Sequence, residues 1–518
     1  AAEGEEQAAS EDSLGKRYGS KLATNIIRLP LGLVLQAIAP RLLGPHLYGD
    51  FNFLRSFFLR VVNLVDTGTS NAFYTKLSAR PRDKGLITFY AGLVGLLSLC
   101  VLAGVAMGYQ VGIADVLWPG QSWKLVVLAA GWGLVTWYGK IALKIVDAYA
   151  LTTKGEMVKI GQRVLAVAVI ALIYWWLREI GLVAYFFYQY FILGLLLAGF
   201  AYVLKSNGIR SLPIRELHRD RIVSYSEEFW AYSAPLGIYV VVGFLAGFGE
   251  RWMLQVFGGS VEQGFFSLSR RIGAVCFAFT SAMTPLLTRE LSKAYAADDL
   301  SEMKRLFEDY VPLLFTIAGY FGVFLSFHAD TVTYLFGGAD YGDAALAVTI
   351  MSLYPIHQTY GQLTGSVFYA AGQTRLYRNI GIGFLVLGIL VTFVLIAPER
   401  WGGFNLGATG LAVKMIAVQF AAVNTKLWYN SRFLKLPFFR LISHQIYTLA
   451  ALSFTAWMTI YLAGLLVDHR LLTFLISGML YTAVTGVIVY TFPSLIGLDS
   501  SVLTNAVQQI RRTIASHL

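Results

Sequence analysis

Ten lysines and arginines fall inside segments apolar enough to cross a membrane: Arg28, Arg55, Arg60, Lys140, Lys144, Arg251, Arg270, Arg271, Lys414 and Lys426. One cation at mid-bilayer costs ~2.5–3.5 kcal/mol on insertion scales, so a chain carries many only for a reason. The acidic residues at similar depth are fewer, namely Asp50, Asp66, Asp147 and Glu250. Helices that enclose a surplus of positive charge point to a cavity for an anion. Arginine suits phosphate, because its planar fork donates two parallel hydrogen bonds. Arg55, Arg251 and Arg270 are the leading candidates for a diphosphate contact, with Arg28, Arg271 and Lys414 beside them.

Spacing sorts the charges. Arg55 and Asp66 lie about three helical turns apart and share a face, whereas Arg60 points some 140° away from Arg55, toward a neighbouring helix. Lys140, Lys144 and Asp147 stand at i, i+4 and i+7, so part of their charge can neutralise locally. They read equally as a snorkelling cluster at the interface or as substrate and gating contacts. Glu250 and Arg251 precede a short turn and Arg270 and Arg271 follow it, which makes the four expected neighbours. Asp66, Asp147 and Glu250 are candidates for coupling to a proton or sodium ion, or else plain counter-ions. Tyr354, Tyr360 and Gln362, near Pro355, are the candidates for glycan contact. Trp132, Trp137, Tyr138, Tyr239 and Trp252 read mostly as lipid-facing or interfacial aromatics. His328 and His357 read as satisfied polar groups.

These residues need an all-α polytopic frame. The 518 residues are 56% hydrophobic and 14% charged, where soluble proteins carry ~25% charged residues. Stretches of ~20 apolar residues recur throughout. Fourteen spans are expected: 22–43, 48–77, 86–108, 124–151, 158–177, 181–204, 229–257, 264–291, 307–327, 344–371, 380–396, 406–428, 446–467 and 471–492. The loops on one side hold 26 of the 41 basic residues and the opposite loops hold 5. The positive-inside rule then puts both termini in the cytoplasm, and an even span count agrees. The net charge of +11 is therefore assigned to these loops and not to nucleic acid. Residues 1–21 read as an acidic cytoplasmic tail and not as a signal peptide. Cys100 and Cys276 lie in apolar helices as small core residues, and no metal or cofactor motif occurs.

The chain also resembles itself. The run from Tyr48-Gly49-Asp50-Phe51 to Leu54-Arg55 aligns with Gln263-Gly264-Phe265-Phe266 to Ser269-Arg270. Tyr138-Gly139-Lys140, ending Ala148-Tyr149-Ala150, aligns with Tyr360-Gly361-Gln362, ending Ala370-Ala371-Gly372. The offset is ~215–222 residues with an even number of spans between copies, the sign of parallel repeats. Two pseudo-symmetric six-helix lobes are expected, residues 22–204 and 229–430, joined by a cytoplasmic linker at 205–228. Residues 431–518 supply a further helix pair and a basic tail.

Taken together, Arg41-Leu42-Leu43-Gly44-Pro45 with Tyr48-Gly49-Asp50-Phe51, the run Phe266-Ser267-Leu268-Ser269-Arg270 to Leu291-Ser292, Phe307-Glu308 with Leu335-Phe336-Gly337 and Tyr341, and Ala370-Ala371-Gly372-Gln373-Thr374-Arg375 resemble the polysaccharide flippases of the MOP (multidrug, oligosaccharidyl-lipid, polysaccharide) exporter superfamily. The O-antigen, Wzx-like type is the best match, and the lipid II flippases are more distant. The resemblance implies a monomeric multi-pass protein of the bacterial cytoplasmic membrane, with no cofactor. It implies alternating access for a polyprenyl-diphosphate-linked oligosaccharide, moved to the outer leaflet beside polysaccharide-assembly proteins. Arg28, Arg55 and Arg270 are similar in placement to arginines of that family, and the last two spans correspond to helices that form a lipid-tail groove in its lipid II members. Lys140 and Lys144 have no family counterpart. A multidrug exporter of the same superfamily would favour carboxylates, and this chain has few. A glycan polymerase or glycosyltransferase would need a large catalytic outer loop, and the longest here is about 109–123 with only Asp115 in it. A scramblase would tolerate neutralisation of Asp66, Asp147 and Glu250.

Overall fold

Gly44 and Gly259 bend two very long helices in the same way. α1 (Leu14–Asp66) is one helix except at Gly44, where φ is 66° and ψ is 172°. A helix running from Arg219 to Ser281 is interrupted only at Gly259, with φ 75° and ψ −173°. That corner of backbone space is open essentially to glycine alone. Pro45 follows the first bend with its φ already set for a helix start. Gly44 and Gly259 are separated by the ~215 residues of the sequence repeat, so the duplicated segments share a backbone device as well as a motif. The second repeat does the same: Ala150 (φ 58°) and Gly372 (φ 67°), matched in the alignment, both take the left-handed conformation just past a helix end.

A computed structural model describes residues 14–81, 83–209, 218–281 and 283–496. Residues 1–13 of the tail expected at 1–21, residues 210–217 of the linker expected at 205–228, and residues 497–518 lie outside the described residues, while residues 14–21 belong to α1 and 219–228 to the helix that begins at Arg219. Among the described residues there is no strand. Ten helices there are long and apolar enough to cross a membrane. The protein is thus an all-helical, multi-pass membrane protein. In chain order, α1 is followed by α2 (Thr69–Ala79), α3 (Lys84–Gln110), α4 (Ala114–Leu117), α5 (Trp123–Ala148), α6 (Thr152–Leu177), α7 (Leu182–Ser206) and α8 (Arg219–Ser281). Then come α9 (Met283–Ala296), α10 (Leu300–Phe327), α11 (Ala329–Gly337), α12 (Ala345–Ser352), α13 (Tyr354–Ala370), α14 (Thr374–Ile396), α15 (Gly407–Phe433), α16 (Phe438–Leu466) and α17 (Arg470–Thr491).

Five expected spans differ in detail. The first two are halves of α1, joined by the Gly44 bend and not by a loop, and the seventh and eighth meet in the same way at the Gly259 bend of α8. The second stops at Asp66, because Thr67 and Gly68 adopt positive φ and a fresh helix begins at Thr69. The tenth is split at Leu353 into α12 and α13, with Pro355 in the first turn of α13, where its missing N–H costs nothing.

The chain divides into two compact units, Ala1–Gly264 and Phe265–Leu518. In the first, α1 packs on α5 and α6, and α7 on α5 and α6. Phe51 of α1 sits among Trp132, Tyr185 and Phe186, with ring centroids 6.0, 4.8 and 5.3 Å away. Small residues set the closest approach. A methyl on Gly49 would overlap the backbone carbonyl of Ser260, and one on Gly264 would overlap that of Pro45. Pro45 and Ser260, like Gly49 and Gly264, are repeat-equivalent, so the contact is reciprocal, as a two-fold relation requires. Buried Asp50 fastens this junction by accepting hydrogen bonds from Gln121 and Ser260. In the second unit, α13 packs on α9, α10 and α15, and α16 on α10 and α17. Its core includes Phe307, Phe315, Ile356, Leu363, Leu427 and Leu452.

Candidate functional site

A cavity of about 550 Å³ opens in the first unit between the end of α1, α2 and α5. α5 contributes Trp137, Lys140, Lys144 and Asp147, one stripe at helical spacing. α1 contributes Asn63 and Asp66, and α2 contributes Ser70, Asn71 and Tyr74. The structure thus brings Asp66 together with Lys140, Lys144 and Asp147.

Asp66 is a helix cap. Its Oδ1 accepts from the Ser70 N–H at 3.0 Å and from the Thr69 hydroxyl at 3.0 Å, while its Oδ2 accepts from the Ser70 hydroxyl at 2.8 Å. The Tyr90 hydroxyl adds a bond at 3.3 Å. This satisfies the Ser70 N–H, which the start of α2 would otherwise leave unpaired. Lys144 donates to the Ser70 hydroxyl at 2.7 Å and to the Asn71 side-chain Oδ1 at 2.8 Å, tying α5 to α2. Asp147 accepts from the Thr152 hydroxyl at 2.8 Å across the turn into α6. Lys140 is exposed at the cavity edge and makes no hydrogen bond or ion pair among the described residues.

The other candidates scatter. Arg55 is half-buried with its guanidinium 5.8 Å from the Trp132 ring centroid. Arg60 lies over the backbone of Gly247 on α8, as its angle on the helix predicts. Arg251 is buried and donates to Gln263 Oε1 at 2.9 Å, and the Gln263 amide donates back to the Arg251 carbonyl across the Gly259 bend. Glu250 and Arg251 belong to the first unit, Arg270 and Arg271 to the second. Arg270 is exposed, Arg271 half-buried and Lys414 buried. Arg28 lies on α1, with its side chain outside the described residues. In the second unit Tyr354 donates to Gln358 at 3.1 Å, and Gln362 accepts from Thr284 at 3.1 Å. Tyr360 is fully buried against Phe315, its ring 5.5 Å away.

One feature escaped sequence reasoning. Trp137, grouped above with interfacial aromatics, is 2% exposed, lines the cavity, and its indole N–H has no partner. The available signal was its place three residues before Lys140 on the same stripe. An apolar groove of about 670 Å³ runs along α10 and α17, the last span, walled by Tyr320, Phe324, Phe474, Met479 and Tyr481; the resemblance implied a lipid-tail groove on the last two spans. Outside the spans, Glu228 of α8 holds Lys76 at 2.5 Å and Arg80 at 2.7 Å. Hydrogen bonds from Lys76 and then Arg80 pull the Glu228 carboxyl below the usual range, and the same contact raises Arg80.

No family model and no curated protein matches this sequence. Solved structures do. A lipid II flippase, MurJ, in an inward closed conformation superposes with a TM-score of 0.65 at 14% identity, over 93% of this chain and 99% of its own. An inward-facing multidrug resistance MATE family transporter of the MOP superfamily superposes with a TM-score of 0.62 at 14% identity, over 80% of this chain and 94% of its own. The chain has the fold of the MOP-superfamily transporters.

Proposed function

We propose that this protein is a flippase for a polyprenyl-diphosphate-linked oligosaccharide, of the O-antigen or related polysaccharide type, working by alternating access from the cytoplasmic to the outer leaflet. The observation that carries the proposal is the excess of cations over carboxylates in the expected membrane spans. A cationic drug would call for the opposite balance, while a diphosphate head group calls for this one. Arg55 and Arg270 stand out within that set. They are repeat-equivalent, and a guanidinium fork suits the oxygens of a phosphate. The groove along α10 and α17 is apolar enough for the polyprenyl tail. The flippase among the solved relatives accounts for more of this chain than the multidrug transporter does. Asp66, Asp147 and Glu250 are the carboxylates proposed for ion coupling, and Asp66 also caps α2.

Mass spectrometry of lipids that co-purify with the protein from its own cells tests the proposal, with the Arg55→Ala/Arg270→Ala double variant as control. A polyprenyl-diphosphate glycan held by the wild type and lost from the variant supports substrate class and site together. Bulk phospholipid alone in both overturns them.

A further inference from the structure

A pocket of about 420 Å³ lies at one end of α3, where the corner between α2 and α3 meets the start of α8. Arg80, Asp83 and Lys84 line it from the corner, and Arg221, Ser224 and Tyr225 line it from α8. All belong to the first unit. The carboxylates here are already engaged. Asp83 caps α3 by accepting from the Leu86 N–H at 3.1 Å, and the Tyr225 hydroxyl donates to it at 2.8 Å. Glu228, one turn further along α8, is held by Lys76 and Arg80. Four cations, Lys76, Arg80, Lys84 and Arg221, thus stand against two carboxylates. Lys84 and Arg221 are the surplus: both are exposed, and neither charged group makes a hydrogen bond or ion pair among the described residues. Arg221 reaches over the start of α3, its Nη1 3.6 Å from the point a Gly85 methyl would occupy.

The surroundings distinguish a lipid head group from a soluble anion. Lys84 is the first residue of α3, a helix apolar enough to cross the membrane. Ile222 and Val223 beside Arg221 are exposed, and so is Trp230 further along α8, as at a lipid–water boundary. The loop charges assign this end of α3 to the cytoplasmic side, where basic pockets between membrane helices suit anionic head groups. The internal repeat supplies an independent comparison. In the second unit Asp299 caps α10 as Asp83 caps α3, accepting from the Glu302 N–H at 2.9 Å. There Leu300 stands in the place of Lys84, and the nearby Arg305 is taken up by Glu302 and Asp309. The cap is common to both copies, whereas the spare charge is found at the first alone.

We propose that Lys84 and Arg221, with the Ser224 hydroxyl beside them, bind the phosphate of an acidic phospholipid from the surrounding leaflet. The lipid is a resident ligand and not the transported substrate, so the proposal does not rest on the flippase reading. Its head group bridges α3 and α8 at the corner that Asp83 and Glu228 already tie together.

Native mass spectrometry of the purified full-length protein tests this, with phosphatidylglycerol and phosphatidylcholine of identical acyl chains offered in equal amounts. The wild type should retain phosphatidylglycerol in preference. Lys84→Gln and Arg221→Gln should each lower that preference about fivefold. Arg375→Gln should leave it unchanged, since Arg375 is equally exposed and lies outside the pocket. Neither Lys84 nor Arg221 holds another side chain, so unfolding midpoints in lipid-free detergent should match the wild type. Equal retention of the two lipids by the wild type overturns the site, as does full preference in the Lys84→Gln/Arg221→Gln double variant. An equal loss in Arg375→Gln also overturns it, because general surface charge would then suffice. A midpoint raised by sodium phosphate over sodium chloride at equal ionic strength, without lipid preference, replaces the lipid by a soluble phosphate. A polyprenyl-linked glycan in the lipid extract, present or absent, bears on the flippase reading alone.

Discussion

Replacing Gly49 by alanine should be among the most damaging one-methyl changes in the first unit. The added methyl would coincide with the Ser260 carbonyl, and the Gly264 backbone nitrogen lies 2.9 Å from the same point. Both obstacles are main chain, so no rotamer change relieves them and the two bent helices must separate. Overpacking of this kind costs ~1–3 kcal/mol where side chains can yield, and here they cannot. Separation also pulls the Ser260 hydroxyl from Asp50, worth a further ~1 kcal/mol or more at a charged acceptor. Helix propensity returns about 1 kcal/mol on going from glycine to alanine. The net loss is about 2–3 kcal/mol, or roughly 5–10 °C in unfolding midpoint for a unit of this size. Gly92 is the control, because a methyl there meets nothing within 4 Å. Thermal unfolding of both variants in the same detergent decides the matter. A Gly49→Ala midpoint equal to that of Gly92→Ala would refute the close approach of α1 and α8. Gly264→Ala should resemble Gly49→Ala, and the double variant should lose less than the two added together, since both break one contact.

Other expectations follow from single contacts. Arg55→Ala and Arg270→Ala should each abolish glycan export while leaving folded protein in the membrane, scored by surface polysaccharide and by thermal unfolding; normal export in both would remove these arginines from the site. Asp66→Ala should destabilise the first unit by ~1–2 kcal/mol through loss of the α2 cap, while Asp66→Asn, which keeps one acceptor, should lose less; equal losses would show that charge and not capping matters. Glu228→Gln should lower stability at pH 7 by no more than ~1 kcal/mol, because the pair is partly exposed. The folded Glu228 carboxyl titrates below its unfolded value, so its contribution is complete above the unfolded pKa of ~4.3 and is lost as pH falls through the folded one. The wild-type and Glu228→Gln unfolding midpoints should therefore converge as the pH is taken below the ordinary carboxylate range and stay apart at pH 7; a constant difference would refute the linkage.

What could be read in the sequence was periodic, and what could not was directional. Apolar stretches revealed a membrane protein, and the aligned runs 48–55 and 263–270 each follow a glycine with φ > 0, Gly44 and Gly259, whose bends the alignment alone did not display. The angle of Arg60 on its helix was enough to turn it toward α8. Arg251 was different. Its spacing fitted a cavity, yet Gln263 reached it across the bend, a partner twelve residues on that no helical wheel displays. Asp66 likewise looked like an intramembrane carboxylate until Thr67 and Gly68 ended the helix and offered it the free N–H groups of α2. In each case a polar side chain in a low-dielectric setting took the nearest partner the backbone made available, and the backbone path there was set by one or two residues with positive φ. The repeat sharpens the point. Arg55 keeps its type as Arg270, but Asp50 becomes Phe265 and Lys140 becomes Gln362. The bends that build the scaffold are kept in both copies while most of the intervening charge is not. The function of the chain is therefore to be sought in the few charges that the two halves share and in those that only one half retains.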